Sequence, residues 1–134
     1  MTDGTYAPEP DGLPDPGEVV WAWVPYEDDP SRGKDRPVLV IGTAEGPDGT
    51  TTVRCLVMTS KDHDRDAAEE AAHGRYWMDV GTGGWDRRRR PSEVRLNRLL
   101  AIPAADVRRE GAALDPEVYA EVLAARAALE GRAG

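Results

Sequence analysis

Two side chains that lie far apart in the sequence, Arg36 and Thr59, have the chemistry to act together on a phosphodiester. A guanidinium can hold two phosphate oxygens and stays charged at any useful pH, and a hydroxyl adds a donor for the charge that develops during cleavage. Arg36 precedes an apolar segment and Thr59 ends a second one. A hairpin of these segments would bring both to one end of a sheet. On position alone, a strand-flanking surface charge and an ordinary strand threonine remain the better description.

Other familiar site chemistries are missing from the sequence. His63 and His73 are ten residues apart without a neighbouring cysteine, which argues against a zinc site. No phosphate-binding loop or dinucleotide fingerprint occurs, because Gly81–Gly84 lacks the lysine and the helix that should follow. Ser60, His63 and Asp64 leave a hydrolase triad open, although nothing like a nucleophile elbow surrounds Ser60. We therefore expect neither a metal nor a cofactor.

The loop Gly81–Pro91 offers a second candidate, for binding rather than catalysis. It places Trp85 next to four consecutive arginines, Arg87–Arg90. Aromatic and guanidinium groups together form a platform on which unpaired bases stack. The alternative is that Trp85 closes one end of a barrel and that the arginines are a solvated run. The sequence slightly favours that alternative for Trp85 and the binding role for some of the arginines.

The charge of the chain is unevenly distributed. A formal net charge of −8 argues against a nucleic acid as partner. However, residues 1–30 contain eight acids and no bases, whereas residues 81–109 contain eight bases and three acids. A docked phosphate responds to the local field rather than to the total charge. The basic block therefore leaves a nucleic-acid partner open.

The apolar segments are short and rich in β-branched residues, which predicts strands joined by turns and loops. The segment between Glu27 and Asp35 reads as a loop, and the turn chemistry at Gly46–Gly49 makes the second and third strands a hairpin. A short helix fits the polar stretch at Asp66–His73. The predicted strands are Glu18–Tyr26, Pro37–Thr43, Thr51–Met58, Arg75–Val80 and Ser92–Ile102, the last as one strand or two.

The C-terminal part is predicted to be helical. Pro103–Arg109 should form a single turn that Gly111 stops. Asp115 and Pro116 then start a helix of about four turns, because an acidic N-cap followed by proline favours helix initiation. Val118, Val122, Ala125 and Leu129 recur on one face of it, with Tyr119 and Leu123 beside them. Short strands followed by one amphipathic helix indicate a compact, mainly β barrel of the α+β kind with helical packing.

The N-terminal residues 1–15 are rich in proline and poor in aliphatic residues, so we expect a disordered tail before one domain at 16–134. No apolar run approaches the length that a membrane helix needs, and no signal-peptide pattern is visible. The single cysteine, Cys55, lies in an apolar run and is expected to be a buried structural thiol. These features predict a cytoplasmic protein without membrane contact.

Four segments, taken in order, resemble motifs of the PemK/MazF/Kid family of toxins. The first strand resembles the opening strand of that family, and Arg36 begins a segment similar to its Arg-Pro-x-Leu/Val-Val-Ile strand. Thr59 falls in a segment similar to its apolar segment that ends in Thr-Ser/Thr. The matching segments cover roughly residues 16 to 130 and are Pro16–Trp21 (PGEVVW), Arg36–Ile41 (RPVLVI), Leu56–Ser60 (LVMTS) and Ser92–Arg98 (SEVRLNR).

This resemblance implies a small SH3-like barrel of the PemK/MazF/CcdB type with a C-terminal helix, assembled as a homodimer. It implies sequence-specific, metal-independent cleavage of single-stranded RNA, and a cognate antitoxin as partner. The catalytic arginine of the family falls on Arg36 and its catalytic threonine on Thr59. Cleavage would be a transphosphorylation by the 2′-OH of the RNA. The expected substrate-binding residues are Lys34, Ser60, Lys61, Trp85, Arg87 and Arg88.

Two features depart from the family pattern. The loop Glu27–Asp35 carries many acids beside the expected RNA site, and Gly81–Pro91 is longer and more basic than the family suggests.

Two other functions stay open. One alternative is a non-catalytic SH3-like binding module. Another is a toxin that acts on a protein target, as a gyrase-binding relative of the same fold does. That action would rest on the C-terminal helix around residues 124–134 rather than on Arg36.

Overall fold

A six-stranded antiparallel sheet and two helices make up the part of the chain that the computed structural model describes, residues 13–60 and 67–133. The predicted N-terminal tail lies largely outside these residues. The strands are β1 (Glu18–Pro25), β2 (Gly33–Glu45), β3 (Thr51–Thr59), β4 (Trp77–Gly81), β5 (Ser92–Pro103) and β6 (Arg108–Ala113), and the helices are α1 (Ala67–Ala72) and α2 (Pro116–Ala133).

The five predicted strands are confirmed, with shifted bounds. β5 is one strand, and β2 begins at Gly33, so the loop after β1 is shorter than expected. A close approach explains why glycine stands at position 33, because a Cβ there would lie 2.7 Å from the Trp23 ring and 2.3 Å from the carbonyl oxygen of Val24. The extended β2 carries Lys34 and Arg36 within the strand instead of on a loop, which fixes their direction relative to the sheet.

The sheet has the order β4-β5-β3-β2-β1-β6, and every described pair is antiparallel. Irregularities between Val40 and Gly42 and between Leu56 and Met58 interrupt the register of the central pairs. Such bulges bend strands and increase their twist. Within the described residues β4 and β6 are edge strands that do not pair with each other, so the sheet is not closed into a barrel. The predicted class, mainly β with a C-terminal helix, is confirmed.

A strand that the sequence did not predict, β6, occupies one edge of the sheet. The expected single turn is only the 3₁₀ helix Ala104–Asp106, and Gly111 lies inside β6 with φ 76° instead of ending a helix. β6 pairs with β1, and a partly buried ion pair joins the two strands: Arg109 Nε and Nη2 donate to the Glu18 carboxylate at 2.7 and 2.8 Å. The prediction of a turn stopped by Gly111 is therefore wrong, because long-range pairing overrides the weak local preference of this segment.

Two buried clusters pack on the sheet. One cluster takes residues from all six strands, and Val122 of α2 is fully buried in it. Val118, Ala125 and Leu129 pack against the same cluster, as predicted, whereas Leu123 is 39% exposed. The members of this cluster are Val19, Leu39, Leu56, Met58, Val80, Trp85, Val94, Leu96, Ala112, Leu114 and Val122.

The second cluster is built from β1, β2 and β3 with Ile102 of β5, and Cys55 lies within it. The Cys55 side chain is fully buried, and this desolvation raises the pKa of its thiol to about 12. The predicted structural role of the cysteine is confirmed. The members of this cluster are Val20, Ala22, Val24, Val38, Val40, Val53, Cys55, Val57 and Ile102.

Helix α2 starts as predicted. The backbone N–H of Glu117 donates to the Asp115 carboxylate at 3.1 Å, and the N–H of Tyr119 donates to the Asp115 carbonyl at 2.9 Å. Asp115 is therefore the N-cap, and Pro116 occupies the first helical position, where its missing N–H costs nothing. Among the described helices, including α2, none combines the length and apolarity that crossing a membrane requires.

Candidate active site

The β2–β3 hairpin brings Arg36 and Thr59 to the same cleft. Val38 pairs with Val57 in the hairpin, and the same register extended by two residues sets Arg36 opposite Thr59. Both residues line an open cleft of about 730 Å³. Two residues separated by 23 positions in the sequence thus face one solvent-accessible space, as expected for the two strands of a hairpin.

Every strand from β2 to β5, the loop after β1 and helix α1 contribute to the wall of this cleft. Among the residues that the structure describes, the lining includes five arginine or lysine residues and three acidic ones, an excess of positive charge although the chain is acidic overall. The lining residues are Tyr26, Glu27, Asp28, Lys34, Arg36, Val57, Thr59, Glu70, His73, Arg75, Trp77, Arg95 and Arg98.

Arg36 is a partly buried cation whose hydrogen-bonding capacity is incompletely used. Its Nε is buried and has no hydrogen-bond partner among the residues that the structure describes. Burial, together with the charge of nearby Arg98, lowers the pKa of Arg36. Arginine stays protonated at neutral pH despite such a shift. A desolvated guanidinium with an unmatched donor, next to a second cation, favours an anionic ligand with acceptor oxygens.

Arg95 lies deeper in the wall and is held from several sides. Its Nη1 and Nη2 donate to the two carboxylate oxygens of Glu27 at 2.9 and 3.1 Å, and its Nε donates to Asn97 Oδ1 at 2.8 Å. The guanidinium also lies 5.9 Å from the centre of the Trp77 ring. The hydrogen bond from Arg95 lowers the pKa of Glu27, and the charges of Arg95, Arg98 and Arg75 add to this effect.

Glu70 of helix α1 connects this helix to Arg75 and to Trp77 of β4 at the cleft. Its carboxylate accepts hydrogen bonds from Arg75 Nε and from the indole Nε1 of Trp77, both at 2.9 Å. The hydrogen bond to Glu70 raises the pKa of Arg75. Exposed His73 follows the helix and lines the cleft as well, with Nδ1 3.3 Å from the Glu69 carbonyl oxygen. Glu70 thus fixes both the tryptophan and an arginine at the cleft.

Trp85 is a core residue rather than a stacking platform. Its side chain is only 4% exposed, its Nε1 donates to Ser92 Oγ at 2.9 Å, and its carbonyl accepts from Trp21 Nε1 at 3.0 Å. Gly83 packs so closely that a Cβ there would lie 2.1 Å from the Trp85 ring. A buried ring cannot stack on a base, so the expected binding role of Trp85 is corrected.

The arginine run is exposed and lies outside the cleft lining. Asp86 organises this loop, because its carboxylate accepts from the backbone N–H groups of Arg88 and Arg90 and from Arg90 Nε at 2.7 Å. Arg87 and Arg88 are exposed, and neither lines the cleft. Any phosphate that they contact must therefore belong to a part of a ligand that extends beyond the cleft.

The other expected site residues have different positions. Lys34 lines the cleft, and Ser60 follows Thr59 without being part of the lining. Lys61, His63 and Asp64 lie outside the described residues. Among the residues that the structure does describe, no group of three or more histidine, cysteine or acidic side chains is arranged to hold a metal ion.

Sequence reasoning missed Glu27, Arg95, Arg98 and the Glu70 cluster as parts of the site. Arg95 belongs to a segment that resembles a family motif, but its position between Val94 and Leu96 gives no sign that its side chain lines the cleft. In the sequence, Glu27 stands out only as one of the many acids of the loop after β1. The pairing of Glu27 with Arg95 spans 68 positions, which no local pattern indicates.

Comparison with known proteins identifies the family of the chain. No curated protein matches the chain. The model of one family, described as PemK-like, MazF-like toxin of type II toxin-antitoxin system, matches residues 15–129. This match includes β1 to β6 and most of α2, and it contains all of the described residues that line the cleft. The chain therefore belongs to the PemK-like, MazF-like toxins of type II toxin-antitoxin systems.

Proposed function

We propose that the chain is a metal-independent endoribonuclease that cleaves single-stranded RNA in the Arg36–Thr59 cleft. The observation that carries the proposal is Arg36 itself: a desolvated guanidinium, repelled by Arg98, whose buried Nε has no partner among the described residues. A phosphodiester supplies the negative charge and the acceptor oxygens that this group lacks. Membership of a toxin family supports the same function.

The proposed reaction is a transphosphorylation within the RNA. The 2′-oxygen loses its proton and bonds to the adjacent phosphorus, while the bond from phosphorus to the 5′-oxygen breaks and that oxygen gains a proton. The products are a 2′,3′-cyclic phosphate and a 5′-hydroxyl. Arg36 holds the non-bridging oxygens and assists proton movement, and the Thr59 hydroxyl donates to the same oxygens as their charge increases.

Alignment supplies much of the acceleration in this scheme. A 2′-OH held in line with the leaving 5′-oxygen reacts as part of a preorganised unit, which avoids a large entropic cost. The mechanism therefore does not require a histidine, although His73 lines the cleft. Nor does it require a metal ion, because Arg36 and Thr59 supply the electrostatic stabilisation.

The test is to incubate the purified chain with a long unstructured RNA in the presence of EDTA. Cleavage should yield fragments with 2′,3′-cyclic phosphate and 5′-hydroxyl ends. Arg36→Ala should abolish it, whereas Arg54→Ala should cleave normally, because Arg54 is an exposed arginine at the far end of β3 and does not line the cleft. Cleavage that needs a divalent ion, or full activity of Arg36→Ala, would overturn the proposal.

The same experiment separates the alternatives. A chain that inhibits growth but never cleaves RNA would act on a protein target, and one that does neither would be a binding module. A toxin of a type II system has an antitoxin partner. We propose in addition that the working form is a homodimer, since a small domain with Trp23 at 52% exposure leaves apolar surface uncovered.

A further inference from the structure

The Glu27–Arg95 pair joins an exposed side chain to a buried one. The Arg95 side chain is only 7% exposed and is also held by Asn97, whereas the Glu27 side chain is 51% exposed. Glu27 belongs to the loop that follows β1, and its carboxylate can turn into water at little cost. Arg95 cannot leave in the same way, because its side chain is buried and its Nε is held by Asn97.

The geometry of the pair is that of an arginine holding a phosphate. Two parallel hydrogen bonds of 2.9 and 3.1 Å connect the guanidinium fork to two oxygens of one anionic group. Two non-bridging oxygens of a phosphodiester fit the same fork. The charges of Arg98 and Arg75 also act on the Glu27 carboxylate, so more than one cation attracts an anionic group at this position.

We propose that Arg95 is a second phosphate-binding residue of the cleft, and that Glu27 covers it as an internal phosphate mimic until RNA displaces the carboxylate. This inference rests on the proposed function and adds a subsite to it. Arg36 would hold the phosphate that reacts, and Arg95 would hold a neighbouring one. RNA then competes with Glu27, so the acid lowers the affinity of the resting protein for RNA.

The loop does not depend on the Glu27 carboxylate for its shape. The backbone N–H of Tyr26 donates to the carbonyl of Arg32 at 2.8 Å, and the N–H of Arg32 donates to the carbonyl of Asp29 at 3.0 Å. Arg98 Nη2 in addition holds the carbonyl of Pro25 at 2.7 Å. If the Glu27 carboxylate served only to fix the loop, it would duplicate these contacts. Its loss would then leave RNA binding unchanged or, by loosening the loop, weaken it.

The test measures the affinity for a 2′-O-methyl RNA, which binds but cannot be cleaved. Glu27→Gln keeps the shape of the side chain and removes the competing charge, so the dissociation constant should fall on the order of tenfold at low salt. Asp29→Asn is the matched control, since it removes one charge from the same loop at a residue that does not line the cleft. It should change the dissociation constant less than twofold.

The possible outcomes decide between competition and the alternatives. Unchanged or weaker binding by Glu27→Gln would overturn the inference, and equal gains in both variants would reduce it to a general effect of net charge. The double variant Glu27→Gln/Arg95→Gln should lose the gain, because the gain acts through Arg95. If the double variant binds as tightly as the single one, Arg95 is not the subsite. Should the double variant fail to fold, the comparison with Asp29→Asn still decides.

The measurement is independent of catalysis. A chain that never cleaves RNA but binds the 2′-O-methyl RNA more tightly after Glu27→Gln would refute the nuclease and keep the subsite. A chain that cleaves RNA through Arg36 but binds less tightly after Glu27→Gln would keep the nuclease and refute the subsite. The two proposals can therefore fail separately.

Discussion

Replacement of Arg36 by methionine should make the protein more stable while it destroys the activity. A buried donor without a partner costs about 1–3 kcal/mol, and Nε of Arg36 is such a donor among the described residues. The Arg36 side chain is only partly buried, so we take the lower end, about 1 kcal/mol. Methionine has a similar length, fills the same space and also removes the repulsion with Arg98.

Urea unfolding measures this gain directly. With a slope of about 2 kcal/mol per molar urea, a gain of about 1 kcal/mol moves the midpoint upward by about 0.5 M. RNA cleavage should fall by at least about 10²–10³-fold, the loss expected when one donor to a developing oxyanion is removed.

Arg54→Met is the control for this experiment, because it removes an exposed arginine from the neighbouring strand. Its stability should stay within about 0.5 kcal/mol of the wild type. A midpoint for Arg36→Met at or below that of the wild type would contradict the unmatched donor at Arg36, since it would mean that the guanidinium is already satisfied in the free protein. Retained cleavage would refute the catalytic role of Arg36.

Four further outcomes are expected. Thr59→Val should lower kcat by about 10²-fold or more while Thr59→Ser stays active, because the hydroxyl and not the methyl group acts on the phosphate. Changing Arg87–Arg90 to glutamine should raise KM more than it lowers kcat. It should also reduce the slope of log binding constant against log salt concentration by about 0.7 for each lost phosphate contact. Normal cleavage combined with escape from the antitoxin would instead show that the arginines bind the antitoxin. Light scattering should report twice the 14.6 kDa chain mass, and a monomer that still cleaves RNA would contradict the dimer. Because Arg95 lowers the pKa of Glu27 below its usual 4.5, the stability that Glu27 adds is present above that value and is lost as the pH falls through the lowered pKa; urea midpoints of the wild type and Glu27→Gln should therefore converge in acid.

The central hairpin was predictable because local and long-range requirements agree in it. β2 and β3 contain runs of β-branched and apolar residues with turn residues between them, and both faces of their central part are buried. Once the hairpin is assumed, the register places Arg36 near Thr59 without further information. The same agreement holds for α2, where the N-cap and the apolar face both indicate a helix.

Long-range contacts explain what the sequence did not predict. β6 is polar and contains a glycine, and it becomes a strand through pairing with β1 and through the Arg109–Glu18 ion pair across 91 positions. Trp85 lies in a loop that suggests exposure, but the packing of Gly83 and a hydrogen bond to Ser92 hold it in the core. In both cases tertiary packing determines the conformation of the segment, and a local sequence pattern does not contain that information.

Buried Cys55 gives the protein an internal reporter of its own opening. It is the single cysteine of the chain, lies in the centre of the sheet between β2 and β5, and has a thiol pKa of about 12. A thiol reagent needs an accessible thiolate, so it can react only when these strands separate. The labelling rate of the unmodified chain therefore follows the free energy of opening the core. If RNA or the antitoxin binds only the closed sheet, either ligand should slow labelling in proportion to its occupancy.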